Sequence, residues 1–286
     1  MPTLERITIY PVKSLDGVDL AECGVLPNGA LENDRRWRLV DMDGRVVNAK
    51  REARFHLIRA EYDLAERLIA LSRWSDDPAE PAETFPLVPG PEGPCAWLSE
   101  AVGARVLLEE RYDGGFPDDC DAPGPTLVST ESLAEVARWF GLDLAEARRR
   151  FRANLEIGGC DAFWEDTLAS PARGHLPSLA DLPPEVSVDP YADLPPLEPR
   201  AFAIGEVRLR ATGACRRCVV PSRDSRTGAV TELFREAFEA RRTRGMRPDV
   251  DAGGWGAAFR LGVNTIVPQA QSGQLAVRDR VVCQPA

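Results

Sequence analysis

Apolar positions recur along this chain at two spacings. In Val207-Arg208-Leu209-Arg210-Ala211 they alternate with polar ones, the period of a half-buried strand. Leu4, Ile7 and Ile9 belong to a β-branched run that ends at Pro11. Trp37-Arg38-Leu39-Val40 and Val46-Val47 flank Asp43-Gly44, which predicts a hairpin, and Asn28-Gly29 predicts another tight turn. The second spacing is helical. Leu133, Val136, Ala137 and Phe140 share a face behind the cap Ser129-Thr130, with Gly141 as the stop. Asp143-Leu144-Ala145-Glu146 resembles a capping box and opens a basic helix through Arg150. Leu233, Phe234, Ala237 and Phe238 predict a third helix from Thr231 to about Arg244, buried on that face and stopped by Gly245. The segment Glu61–Leu71 reads both ways. Its residues favour helix, with Leu64, Ala65 and Leu68 on one face, while its place among hairpins favours strand.

Proline breaks this pattern twice, with six prolines between Asp76 and Pro94 and eight from Pro171 to Pro199. Both stretches read as loop or linker. The pattern therefore predicts an α+β protein, β-rich in its N-terminal half and mixed in its C-terminal half. At 286 residues two domains are expected. A net charge of −10 argues against a nucleic-acid partner held by a general positive field. It leaves room for a local anion site, which depends on a few converging donors. No apolar run approaches the roughly 20 residues of a membrane span, and no hydrophobic leader is seen. The seven cysteines are scattered and odd in number, as expected of reduced thiols in a cytoplasm. Lysine occurs only at Lys13 and Lys50, arginine supplying the rest of the 35 basic residues. Codon bias explains most of that, yet it singles out Lys13 for a point contact that a guanidinium would not make.

The strand-like run at Val207 leads into Gly213-Ala214-Cys215-Arg216-Arg217-Cys218, which sets two thiols beside two guanidinium groups. Adjacent cations favour the thiolate, the form that attacks electrophiles and binds metals. Cys215 or Cys218 is thus a candidate reactive or ligating sulfur, against the alternative of two semi-buried thiols without chemistry. A structural zinc needs four ligands; the other cysteines are isolated, and His56 and His175 are distant with no ligand spacing. A thioredoxin-like pair should sit where a strand feeds a helix, and Val219-Val220-Pro221-Ser222 reads as strand or loop. Three further segments supply anion donors: Tyr10-Pro11-Val12-Lys13-Ser14, Asp34-Arg35-Arg36-Trp37 and Phe151-Arg152-Ala153-Asn154.

These segments, together with Phe163-Trp164-Glu165-Asp166 and Asp224-Ser225-Arg226-Thr227-Gly228, appear in an order that resembles the MOSC family of molybdenum-cofactor-binding proteins. That family includes the mitochondrial amidoxime-reducing component and its bacterial relatives. The resemblance implies a β-barrel-like N-terminal region over 1–115 and a MOSC domain over 116–286, with a proline-rich insertion near 168–200. It also assigns Glu61–Leu71 to a hairpin. It implies molybdenum-molybdopterin as cofactor, Cys218 as the metal's protein ligand, and Lys13, Ser14, Arg35, Arg152, Asn154, Arg216 and Arg217 as residues around the pterin and its phosphate. Asp121 falls in a segment that contributes to the pocket and is the candidate acid.

The implied activity is a molybdenum-dependent oxidoreductase that reduces a small N-hydroxylated substrate by oxygen-atom transfer. Electrons would come from a separate donor of ferredoxin, flavodoxin or cytochrome type, since nothing resembling a C-terminal ferredoxin domain follows Cys283. The rival is a non-catalytic carrier of the cofactor or of sulfur, because MOSC modules also occur attached to cofactor sulfurases. A cytoplasmic location and no membrane partner are expected. Arg242 serves as the expected surface reference, and Lys50 as the reference for Lys13.

Overall fold

The computed structural model describes residues 1–74, 81–90, 93–169, 201–247, 250, 252, 257–268 and 273–283. The first third of the chain is mainly strands: β1 (Thr3–Ile9), β2 (Val18–Leu20), β3 (Glu22–Val25), β4 (Trp37–Val40), β5 (Val46–Val47), β6 (Ile58–Asp63), β7 (Leu68–Arg73) and β8 (Glu83–Pro86). The middle alternates: α1 (Cys95–Val102), β9 (Leu107–Glu110), β10 (Leu127–Ser129), α2 (Thr130–Phe140), α3 (Leu144–Phe151), β11 (Leu155–Gly158) and α4 (Asp166–Ala169). The last part holds β12 (Ala201–Ile204), β13 (Val207–Arg216), α5 (Phe234–Arg244), β14 (Arg260–Ile266), β15 (Gly273–Ala276) and β16 (Val281–Cys283).

The protein is a sheet-rich α+β fold. Its largest sheet runs β16-β12-β13-β14-β10-β11-β1-β2, so strands from both sides of the expected 115/116 boundary share one sheet. The other sheets are β15-β3, β5-β4-β9 and β6-β7-β8. Among the described residues none of them closes on itself, so the N-terminal region is β-rich, as expected of a barrel-like region, without forming a closed barrel. The N-terminal strands are instead distributed over all four sheets.

Why Leu4, Ile7 and Ile9 are all buried, against strict alternation, lies in β1 itself. Its pairing with β11 shifts register between Leu4 and Arg6. That bulge inserts one residue and returns Ile7 to the inner face. In β13 the alternation holds for Val207, Leu209 and Ala211, and then two register shifts follow, between Ala211 and Gly213 and between Ala214 and Arg216. They bend the strand just before the cysteine pair.

The Asp43-Gly44 hairpin forms between β4 and β5. Glu61–Leu71 is a hairpin too, because Ile58 and Ala60 on β6 and Ile69 and Leu71 on β7 all bury on one face, with Arg67 in the turn at φ 55°. The caps at Ser129 and Asp143 accept from Ser132 N and Glu146 N. The box is not reciprocal, since the Glu146 carboxylate binds the Ser225 N–H instead, at 2.9 Å. The third helix starts later than its pattern predicts, at Phe234. Leu233, expected in the core, is 72% exposed with φ 52° just before the first turn. The first proline-rich stretch contains strand β8, paired with β7. The insertion near 168–200 lies, from residue 170 on, outside the described residues. No helix among the described residues is long and apolar enough to cross a membrane.

Candidate functional site

Two loops distant in sequence are stitched together by their own backbones. Arg35 N donates to Tyr10 O at 2.9 Å, Trp37 N to Pro11 O at 3.0 Å, and Lys13 N to Trp37 O at 2.8 Å. Tyr10 N in turn donates to Asp34 Oδ1 at 2.8 Å. This pairing is why Lys13 and Arg35 emerge side by side on the wall of one cavity of about 410 Å³. Ser14, Arg152, Asn154, Arg216, Arg217 and Cys218 line the same cavity. Every cofactor residue implied by the resemblance therefore reaches one space. Ser14, Arg35 and Arg152 also share a backbone feature, φ of 79°, 49° and 52°. Such left-handed geometry is uncommon outside glycine and collects at ligand sites, where surrounding structure holds it in place.

The donors do different jobs. Lys13 Nζ donates to Phe116 O (3.0 Å) and Pro117 O (3.3 Å) and pairs with Asp118 at 3.0 Å. Lys50 and Arg35 reach the same carboxylate at 3.4 and 3.6 Å. Asp118 is half-exposed and is gripped by three cations. Burial raises its pKa, but Arg35, Lys13 and Lys50 outweigh that and hold the carboxyl far below its ordinary value. Burial likewise pulls Arg35 down, while Asp34 and Asp118 more than restore it. Arg35 also ion-pairs with Asp34 and donates to Asn154 Oδ1 at 3.3 Å.

Asn154 is a clamp. It is 2% exposed, donates to Thr8 O at 3.0 Å and accepts from Thr126 N at 3.2 Å, which ties β1 to the segment leading into β10. Arg152 caps α3, donates to Leu15 O at 2.6 Å and lies 4.0 Å from the Tyr10 ring. Ser14 Oγ accepts from Ala49 N at 3.1 Å. Arg217 is committed to carbonyls, those of Leu261 (2.9 Å from Nε) and Phe151 (2.8 Å from Nη1). It braces the cysteine turn against its neighbours. Cys218, half-buried beside Val220, has no hydrogen-bond partner for its sulfur among the described residues, and Cys215 lies on the same wall.

Asp121 is exposed, its N–H donating to Asp119 Oδ1 at 3.1 Å, and it stands outside the cavity lining although Cys120 and Ala122 belong to it. Residues that sequence reasoning missed complete the wall. Arg149 donates to Ser225 Oγ at 2.8 Å and Arg59 to Ser225 O at 3.0 Å, which pulls the Asp224–Gly228 turn onto the cavity. His56 is pushed down to about 4 by burial and by Arg223, Arg152 and Arg59, so it is neutral at pH 7. Lys50, taken as an indifferent reference, is on the wall as well. Its rarity as a lysine was the one available signal; Asp118 offered none. Arg242 is no surface residue: it is fully buried against Asp166. Hydrogen bonds and ion pairs with protein groups occupy nearly all these cations, yet the cavity still carries more positive than negative side chains in a protein of net charge −10. That excess of positive charge suits an anion.

Residues 1–80 match the MOSC N-terminal beta barrel domain. The chain is similar to mitochondrial amidoxime reducing component 2 of Homo sapiens, 24% identical over 80% of this chain and 68% of that protein. It is similar at 23% to mitochondrial amidoxime-reducing component 1 of Homo sapiens, over the same shares of both chains. It also resembles molybdenum cofactor sulfurase of Drosophila erecta, 26% identical over 79% of this chain but spanning only 28% of the sulfurase. The crystal structure of the YUAD protein from Bacillus subtilis aligns over 100% of this chain and 98% of that one, at 12% identity and a TM-score of 0.36, too distant to carry an argument. The resemblance to the MOSC family read from the motifs is thus borne out.

Proposed function

From the MOSC relationship we propose that this chain binds a molybdenum-molybdopterin cofactor and reduces N-hydroxylated compounds. The observation that carries the reading is one cavity joining an uncommitted thiol, Cys218, to a cradle of cations that already holds a carboxylate, Asp118. Both halves fit the group: a thiolate suits a soft metal, and clustered Lys and Arg suit a phosphate. The volume lies within the range of cofactor sites.

Cys218 would be the protein's ligand to the metal. Lys13, Arg35 and Lys50 would hold the phosphate, with Asp118 giving way to it. Ser14 and Arg152 would meet the pterin beside them, while Asn154 and Arg217 keep the cradle and the cysteine turn in register. When bound, the cofactor supplies the two-electron chemistry that takes an N–O bond to the amine with release of water. The protein's part is to fix the orientation of the group and to screen it from water. His56, neutral on the wall, leaves the local field to the arginines. A small N-hydroxylated substrate and a separate electron-donor protein, of ferredoxin, flavodoxin or cytochrome type, complete the proposal. The relatives' designation as a component of a reducing system agrees with such a donor.

The sulfurase relatives and a third thiol on the wall, Cys120, favour one second reading, a carrier of cofactor or sulfur without turnover. The two part in a single experiment. Protein purified from a cofactor-competent host is reduced with dithionite and mixed with benzamidoxime. Reoxidation with formation of benzamidine supports the reductase. Bound molybdenum without reoxidation supports the carrier.

A further inference from the structure

One cation of the cavity wall differs from the others. Lys13, Arg35 and Lys50 grip Asp118, Arg59 is paired with Asp16, and Arg217 is held by carbonyls. Arg149 and Arg150 are bound to Glu146, and Arg152 to Leu15 O. Arg216 is exposed and lines the cavity, and its guanidinium has no hydrogen bond, ion pair or ring contact with any described residue.

Its position makes that costly. Arg216 on β13 is the register partner of Arg260 on β14. Like charges directly opposed across an antiparallel pair are destabilising. Arg260 shows the strain electrostatically: burial lowers its pKa, and the Arg216 charge lowers it further. Arg260 is anchored all the same, with Nη1 donating to Ala214 O at 2.6 Å. Arg216 is therefore the free member of the pair, held at the rim by the second bulge of β13. It stands two residues before Cys218, at most about 7.6 Å away between Cα atoms.

We propose that Arg216 is a specificity residue that receives a planar two-oxygen anion, a carboxylate, on the substrate. The proposed reduction at Cys218's side of the cavity is the premise, and Arg216 adds the substrate class: N-hydroxylated compounds that also carry a carboxylate. A guanidinium fork matches a carboxylate in a bidentate way that an ammonium does not. This separates Arg216 from the phosphate cradle, where the cations are already committed, and moves it from cofactor holding to substrate choice.

The test uses the holoprotein and two probes with one core, benzamidoxime and 4-carboxybenzamidoxime. Wild type should prefer the carboxylated probe in kcat/KM. Arg216→Gln should lower that preference, the ratio of the two kcat/KM values, by roughly tenfold, the size expected for losing one charge-assisted contact. Arg216→Lys should restore only part of it. An unchanged ratio in Arg216→Gln overturns the proposal, and so does loss of molybdenum from that variant, which would return Arg216 to the cofactor. Calorimetric binding of both probes to oxidised holoprotein is the second arm and needs no turnover. If wild type reduces neither probe, the reductase reading fails, and this arm decides alone. Tighter binding of the carboxylated probe that is lost in Arg216→Gln supports the assignment, and equal binding of the two probes by wild type overturns it.

Discussion

Opposite charges are concentrated in two parts of this molecule, and their fates differ. In the cavity, the half-exposed Asp118 is shared by Lys13, Arg35 and Lys50. Beneath α5, Arg242 and Asp166 form an ion pair at 0% and 1% exposure, with the Arg242 guanidinium 4.0 Å from the Phe163 ring and the buried Glu165 next in sequence. The sealed pair has no access to solvent, so nothing can exchange with it. In the cavity an incoming anion can replace one carboxylate. Motif segments that look alike in sequence, each rich in charge beside an aromatic residue, thus serve two ends. One locks α4 to α5, and the other lines an open cavity.

The sharpest way to break this contrast is to remove one partner of the sealed pair. Arg242→Ala should cost about 3–5 kcal/mol in urea unfolding, because it strands a buried carboxylate, whereas a joint apolar replacement of Arg242 and Asp166 should cost far less. An unchanged midpoint for Arg242→Ala would mean that the pair is not sealed. In the cradle, Arg35→Ala should cost less in folding than Arg242→Ala, because Asp34 keeps the Tyr10 N–H as a partner, and should weaken pterin retention by about 2–5 kcal/mol. Pterin released and oxidised to a fluorescent product measures it, with the exposed Arg45→Ala as the reference. Equal retention in the two variants would place the phosphate elsewhere.

The smallest effect is in pH, and there the two regions have opposite signs. Burial and neighbouring arginines depress His56 from 6.5 to about 4. Its contribution is present above pH 6.5 and is lost as pH falls towards 4, since the unfolded chain takes the proton first. Burial, then Asp166, raises Glu165 from 4.5 to about 7. Its contribution is present below pH 4.5 and is lost as pH rises towards 7. His56→Gln should therefore flatten the acid limb of a stability profile, and Glu165→Gln the limb approaching neutrality. The same slope change in both variants would refute the contrast.

The residues of the cavity wall were legible because a local anion site calls for Lys and Arg, and because six short segments keep their order along the chain. Arg35 and Arg152 were found that way. Asp118 was not, since a single carboxylate in a loop has no periodicity and matters only through the three cations that fold around it. Arg242 is not the surface residue expected: six of the eleven residues in α5 are arginine or glutamate, and nothing local says which arginine turns inward to meet Asp166. Helix α1 was missed although Cys95, Leu98, Ala101 and Val102 carry a helical spacing. It starts directly behind Pro94, the last proline of a proline-rich stretch that carries the signature of a loop. The hairpin at Glu61–Leu71 shows the converse, where tertiary burial of Ile69 and Leu71 overrides helix propensity.

In the proposed function Cys218 alone of the cavity thiols holds the metal. The direct measurement is molybdenum per protein, by mass spectrometry, in wild type, Cys218→Ala and Cys215→Ala made side by side in a cofactor-competent host, with folding checked by circular dichroism. Cys218→Ala should be folded and depleted of molybdenum, and Cys215→Ala should keep most of it. Equal molybdenum in Cys218→Ala and wild type would contradict that assignment.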